Sequence, residues 1–431
     1  METKKEQLRE IVKTDIDSLK NLGVSKNIRE RELDFIERRG MEDYFLVAHQ
    51  FMNELKKNEA ILIGPGWDWM ISSHVCRSLG ITNICPRDVS MDPILVWGDD
   101  KSKPTISIEV DEDSFHIVLR KAIIFFGYDN IAKMPVNSNG LRSCALLFCN
   151  DGIANHFQSE EMTDQDGYKI LCTKEYIKEC DNRSVFRFNI LQSTILSSIK
   201  RIQELIVSNG KEAPKLYENW IWNENYRLFH DGELSDIPLF NCKSIQRMTK
   251  MLMAKQQFGS FNELLNIQGL LSSREGHTLC DEEAIVEYQH EHGIGTIMGE
   301  TRYPWGFLFR EDVAWVLRYW VGLSWRQTAH VMLLADAKLE REAEVLKHIY
   351  LQQGMNNGFN EAELNRIWNS LFKRRTQKAL PSKAHYSGRV YLSVFLARLK
   401  NEFPKEFNMI QYGFKSQTKI MHYGKNIERT C

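Results

Sequence analysis

The stretch KPTISIEVDED, Lys103 to Asp113, alternates with a period of two. Ile106, Ile108 and Val110 share one face of such a strand, and Thr105, Ser107, Glu109, Asp111 and Asp113 share the other. A β-branched face needs a core, so the chain must build a sheet with an apolar layer packed on that side. The opposite face turns acidic toward its C-terminal end. By strand rise, Asp111 and Asp113 lie about 7 and about 13 Å beyond Glu109. Three readings of that face are open: a metal-binding active site, a solvated strand end, or what is left of a dismantled site.

The period changes along the chain. Residues 1–22 read as a charged helix, with Leu8, Ile11, Val12, Ile16 and Leu19 at helical spacing. Residues 28–57 read as two helices broken near Gly40. AILIG is a short strand running into the turn Gly64-Pro65-Gly66. A helix over 68–79, the strand at 104–110 and a helix over 114–127 follow. CALLFCN (144–150) and SVFRFNI (184–190) read as strands flanking an irregular polar segment. From 191 onward helical periodicity dominates, most clearly in DAKLEREAEVLKHIYL, 336–351. The expectation is a mixed α/β region, then an all-α region, mostly helical overall.

Composition narrows the function classes. A chain of 431 residues has room for two or three domains. Its net charge of -1 announces neither a nucleic-acid nor a membrane partner, so either would need a local patch. The nine cysteines are scattered without a CxxC pair, which fits reduced thiols in a cytoplasm and no structural zinc. No run approaches the roughly 18 apolar residues of a membrane span. The charged start METKKEQLREIVKTD lacks the apolar stretch of a signal peptide. The expected location is cytoplasmic.

Several stretches, in order, resemble the core of the bacterial C-family replicative DNA polymerases, the DNA polymerase III alpha subunits. RELDFIERRGMEDYFLVAHQFMNELKKNEAILIGPG is similar to the family's approach to the palm, which ends in G-P-G. SLGITNICP (78–86) resembles "LLGITDIDP", and KPTISIEV stands where the family has "MPDIDIDF". FGYDNIAKM (126–134) resembles the helix that follows, and VFRFNIL (185–191) stands in place of "VKFDFLG". LPSKAHYSGRVYLSVFLARLKNEFPKEF (380–407) is similar to a fingers segment carrying K-S-H. The resemblance implies an N-terminal helix (1–29), a palm-like α/β domain of nucleotidyltransferase type (30–245), an all-α fingers-like domain (246–413) and a tail (414–431).

The departures point away from catalysis. Two-metal phosphoryl transfer needs carboxylates bridging Mg²⁺ ions, which prefer hard oxygen ligands. The resemblance places the family's three aspartates at Thr105, Ser107 and Asn189, all neutral here. After G-P-G the family continues R-G-S; this chain has Trp67, Asp68 and Trp69. The two tryptophans stand where a nucleotide pocket is expected and could plug it. In the fingers, VMLLADAK (331–338) replaces a basic run, putting Met332 and Leu333 where arginines stood and keeping only Lys338. Cationic clamps stabilise developing phosphate charge, which apolar residues cannot do. The nucleotide-binding remnant is therefore Gly64, Gly66, Trp67, Asp68, Trp69 and Lys338. Only VNSNGLRS stands at 136–143, where the family inserts its thumb. The family's N-terminal phosphoesterase-like region and its clamp-binding and OB-fold regions have no counterpart in the chain.

These readings converge on a degenerate polymerase acting without catalysis, as a scaffold, regulatory or nucleic-acid-binding subunit in replication, repair, a mobile element or phage defence. No cofactor is expected. The alternative is an active nucleotidyltransferase with Mg²⁺ relocated to Glu109, Asp111 and Asp113, Glu109 being a possible survivor of the family's acidic strand. On the plainer reading these three form a solvated acidic strand end. A protein partner is expected, and no membrane. DNA or RNA could be held by the basic run 372–389, through Lys373, Arg374, Arg375, Lys378, Lys383, His385 and Arg389. His290 and His292 in EYQHEHG, beside Glu287 and Glu291, are a weak metal signal and read better as part of the helical region. Trp315, Trp320 and Trp325 read as core before stacking platform.

Overall fold

The sheet carries the chain's organisation. In the computed structural model, β1 (Ile106–Asp111), β2 (Ile131–Lys133), β3 (Ser143–Cys149), β4 (Ser159–Thr163), β5 (Lys169–Thr173) and β6 (Val185–Ser193) form one mixed sheet. Its spatial order is β1-β6-β3-β2-β5-β4. The pairs β1–β6 and β2–β5 are parallel, and the others antiparallel. The structure describes residues 3–18, 26–84, 91, 105–134, 143–163, 167–174, 185–217, 226–255, 261–272, 283, 306–372 and 380–411.

One face of the sheet is the apolar face expected from the alternation. Ile106, Ile108 and Val110 join Cys144, Leu146, Phe186, Phe188 and Ile190 in one core. Helices α1 (Lys4–Ser18), α2 (Lys26–Arg39), α3 (Glu42–Lys56) and α5 (Phe115–Phe126) cover it. The break between α2 and α3 falls at Gly40, as the sequence suggests. Gly40 takes φ +62°, its N–H donates to Glu37 O, and Met41 N donates to Ile36 O. This is the double closure of a glycine C-cap, at a conformation other residues rarely adopt. Leu8 and Val12 of α1 lie in the same core, and Arg9 pairs with Glu30 at 2.9 Å and Asp34 at 2.8 Å on α2. The N-terminal helix is thus packed as part of the sheet's covering layer.

Local details differ from expectation. AILIG meets β1 in a single bridge, Ile63 to Val110, and is not a full strand. The helix expected over 68–79 is a 3₁₀ turn, Asp68–Ser72, and a short helix α4, His74–Ser78. Ser73 breaks it in an extended conformation, because its hydroxyl caps α4 by accepting from Cys76 N. FGYDNIAKM leaves α5 at once and supplies β2. The polar segment before SVFRFNI holds β4 and β5, whose hairpin forms one edge of the sheet.

From β6 onward the described chain is helical. Ser193 ends β6 and caps α6 (Thr194–Ser208) by accepting from Leu196 N at 3.3 Å. A second core joins α6 to α7 (Arg227–Asp231), α8 (Lys243–Lys255), α9 (Phe261–Ser272) and the last long helix, numbered α14 below. Residues on both sides of position 245, such as Phe229 and Leu252, share this core. A third core holds α10 (Arg310–Trp315), α11 (Trp325–Asp336), α12 (Glu340–Asn356) and α13 (Glu361–Phe372). Helix α14 (Lys383–Glu402) is buried nearly all round through Val390–Ala397, which makes it a central element, not a surface one. Among the described residues, no helix is long and apolar enough to cross a membrane.

Candidate active site

The site lies on the second face of the sheet, at the parallel junction of β1 and β6. Register places Ser107 opposite Asn189, Glu109 opposite Leu191 and Asp111 opposite Ser193. Cross-strand partners point to the same side, so Ser107 and Asn189 meet although 82 residues separate them. The Asn189 amide donates to the Ser107 hydroxyl at 3.4 Å. Tyr44 of α3 spans the start of the junction: its hydroxyl donates to Arg187 O at 2.6 Å and accepts from Ile106 N at 2.8 Å. Thr105 uses its carbonyl to accept from the indole N–H of Trp69 at 2.8 Å.

Further along β1 the acids behave unlike a solvated strand end. Asp111 is fully buried. Its carboxylate accepts from Leu62 N at 3.0 Å, from Ser114 N at 3.0 Å and from Lys200 Nζ at 3.0 Å. Lys200 comes from α6, seven residues past the cap. Glu109 is 7% exposed. Burial pushes its carboxyl up to about 7, against smaller lowering effects from a hydrogen bond to Ser193 and the charge of Arg389. Only Asp113 reaches water freely, 64% exposed beside Arg201 at 3.6 Å. The expectation of a solvated acidic end therefore fails for Glu109 and Asp111, because α6 and the segment before Gly64 cover them.

These three acids do not fit a shared magnesium site. Asp111 has its oxygens committed to two backbone amides and a lysine, and Asp113 points to solvent. Burial raises the cost of ionising Glu109, and a ligating carboxylate must be ionised. Among the described residues, no three His, Cys, Asp or Glu side chains gather as metal ligands.

The Gly64-Pro65-Gly66 turn lies against this face. Gly64 N donates to Glu109 O at 2.7 Å, and a Cβ at Gly64 would stand 2.7 Å from Glu109 Oε2, so no larger residue fits. Asp68 follows at φ +53°. Trp69 is buried, while Trp67 is half-buried and meets His385 edge-to-face at 4.9 Å between ring centroids. The guanidinium of Arg389 lies 5.3 Å from the Trp67 ring centroid. Burial, with Arg389 nearby, lowers the pKa of His385, which disfavours its cationic form. Lys338 is exposed, just past the end of α11 at φ +56°.

The basic run is only partly an open surface. Lys373, Arg374, Arg375 and Lys378 lie outside the described residues, as do His290 and His292 with their neighbouring acids. Lys383 is 3% exposed and faces Asp312 at 3.8 Å. Burial pushes the Asp312 carboxyl up to about 6. Lys383 cannot reach a phosphate from there, and His385 and Arg389 are engaged with Trp67. The burial of Lys383 counts against its reading as a phosphate-contacting residue; His385 and Arg389 stay half-buried beside Trp67. Trp315, Trp320 and Trp325 are half-buried; Trp320 packs on the third core and Arg318 covers Trp325 at 5.2 Å. Tyr44 lies in the stretch similar to the family's approach to the palm, whereas Lys200 carried no local motif. Each matters only through a partner distant in sequence.

Residues 4–139 match the family described as the bacterial DNA polymerase III alpha NTPase domain. Over this stretch the chain is DNA polymerase III alpha-like. Two curated relatives agree with this. The DNA polymerase III subunit alpha of Aquifex aeolicus (strain VF5) is 28% identical over 139 residues, 31% of this chain and 12% of that protein. That of Ureaplasma parvum serovar 3 (strain ATCC 700970) is 31% identical over 103 residues, 23% of this chain and 10% of that protein. The matched stretch thus spans about a tenth of each relative's length. The alpha-like match starts at residue 4, so it takes in the helix that the resemblance had set apart as 1–29.

Proposed function

We propose that this chain is a catalytically silent DNA polymerase III alpha-like protein. It keeps a palm-like sheet and a fingers-like helical half as a frame, and serves as a scaffold or regulatory subunit in replication or an allied process. One observation carries the reading. Ser107 and Asn189, the positions of two of the family's aspartates, lie side by side on parallel strands and satisfy one another. The frame that would converge acids on two metal ions is present, and the side chains it converges are neutral. A hydroxyl and an amide cannot offset two divalent cations or orient an attacking 3′-oxygen between them.

The surroundings support the same reading. Trp67 stands where the family has an arginine, and its ring carries Arg389 from α14. Nucleic-acid binding by the basic run would rest on Lys373, Arg374, Arg375 and Lys378 with His385 and Arg389, since Lys383 is buried against Asp312. Partners remain to be proposed by chemistry alone: a protein that uses the frame's outer surface is the first choice.

Primer extension with Mg²⁺ or Mn²⁺ tests the proposal. The expected outcome is no incorporation above a no-protein blank. Extension that disappears in Glu109→Ala would overturn it and establish the relocated-carboxylate enzyme.

A further inference from the structure

We propose that α14 is fixed onto the Gly64–Ser72 segment as a permanent closure, and is not the moving half of a clamp. Two separate contacts make the seam, and a third fixes the start of α14. First, Gly388 of α14 lies directly on the turn: a Cβ there would stand 2.7 Å from the carbonyl oxygen of Gly66 and 3.4 Å from Ile71 Cδ1. Backbone packed this closely leaves no room for water and no slack for sliding. Second, Trp67 is gripped by His385 on its edge and Arg389 near its face, one helical turn apart on α14. Arg389 is also near enough for its charge to favour the ionised form of the Glu109 carboxyl on β1.

The third contact anchors the start of α14. Glu311 accepts from Ser382 Oγ at 2.7 Å, Lys383 N at 2.8 Å and Ala384 N at 3.2 Å. The first N–H groups of a helix usually look to water or a ligand. Here a buried carboxylate from α10 takes them, with its charge favourably placed at the positive end of the helix. Arg310 N also donates to Pro381 O at 3.1 Å, and Lys383 lies beside Asp312. Opening α14 away from the turn would have to break the first two contacts together, while the third keeps the start of α14 fixed to α10 within the helical half. The inference concerns motion, and it holds for a silent or an active site alike.

Gly388→Ala gives a test by sign. Inside a helix, alanine is more favourable than glycine. In a seam that opens freely, this substitution raises the melting temperature. In a fixed closure the added methyl meets Gly66 O, so the melting temperature falls. Hydrogen exchange in the full-length protein supplies the second reading. Peptides spanning 66–83 of the wild type are expected to exchange as slowly as those of β3 and β6. Arg389→Met, which perturbs no helix geometry, is expected to speed exchange at 66–83 at least about tenfold and leave β3 unchanged. The inference is overturned if Gly388→Ala raises the melting temperature. It is equally overturned if wild-type 66–83 exchanges far faster than β3, or if Arg389→Met leaves it slow.

Discussion

The two ends of β1 face the same way and have met opposite fates. At its start the partners are polar and neutral: Ser107 pairs with Asn189 across the strands, and the carbonyl of Thr105 accepts from the Trp69 indole. At its end, two acids are buried, and each is accommodated differently. Asp111 is ion-paired and bonded to two backbone amides; Glu109 is pressed toward its neutral form. The comparison teaches that acidity in a sequence is not acidity at a site. Asp111 is a structural bolt between β1, α6 and the segment before Gly64. Glu109 is a carboxyl held close to the point of losing its charge.

The largest effect is expected at the bolt. Asp111→Ala leaves Lys200 and the Leu62 and Ser114 amides without their acceptor, in a place where water reaches poorly. Urea denaturation should show a loss of about 3 kcal/mol. A near-neutral result would mean that Asp111 is a solvated acid after all.

Glu109→Gln should act in the opposite direction and only at high pH. The folded carboxyl titrates near 7 against an ordinary value of 4.5. Its raised folded value means that its contribution is fully favourable below the unfolded value and is lost as pH rises through about 7. The amide removes that loss, so the variant gains up to about 3 kcal/mol near pH 8.5 and nothing below about pH 4. A gain of the same size at both pH values would show that packing, not ionisation, is responsible.

Two smaller changes probe the neutral end. Ser107→Asp with Asn189→Asp puts like charges on adjacent strands and should cost roughly 2 kcal/mol. If the frame still has the old geometry, millimolar Mg²⁺ restores the melting temperature in this double variant and not in the wild type. Ser107→Ala alone should cost less than about 1 kcal/mol, because a 3.4 Å hydrogen bond is weak. Smallest of all, Asp113→Asn should stay within about 0.5 kcal/mol, its ion pair being exposed.

How much of this was legible follows the range of the interactions. The alternation of Ile106, Ile108 and Val110 identified a half-buried strand, and Gly40 marked the break between α2 and α3, because both signals are local. The shift from a mixed region to helices was legible for the same reason. β2 is three residues long and β4 is mostly exposed, so neither offers an apolar face to read. The burial of Asp111 was hidden because Lys200 lies 89 residues later. Lys383 looked like a surface cation within a basic run, and its burial depends on Glu311 and Asp312, more than 70 residues earlier. The adjacency of Ser107 and Asn189 was readable only through family resemblance. No period in one strand names its neighbour.

The parallel pairing of β1 with β6 also sets an order of events during synthesis. Asn189 follows its partner Ser107 out of the ribosome 82 residues later. At about 5–20 residues per second, the first strand waits roughly 4–16 s for the second. Throughout that interval its Ile and Val face lacks the strand that completes it, covered at best by helices already emerged. A nascent chain stalled between β1 and β6 is therefore the species most exposed to aggregation and most in need of a chaperone.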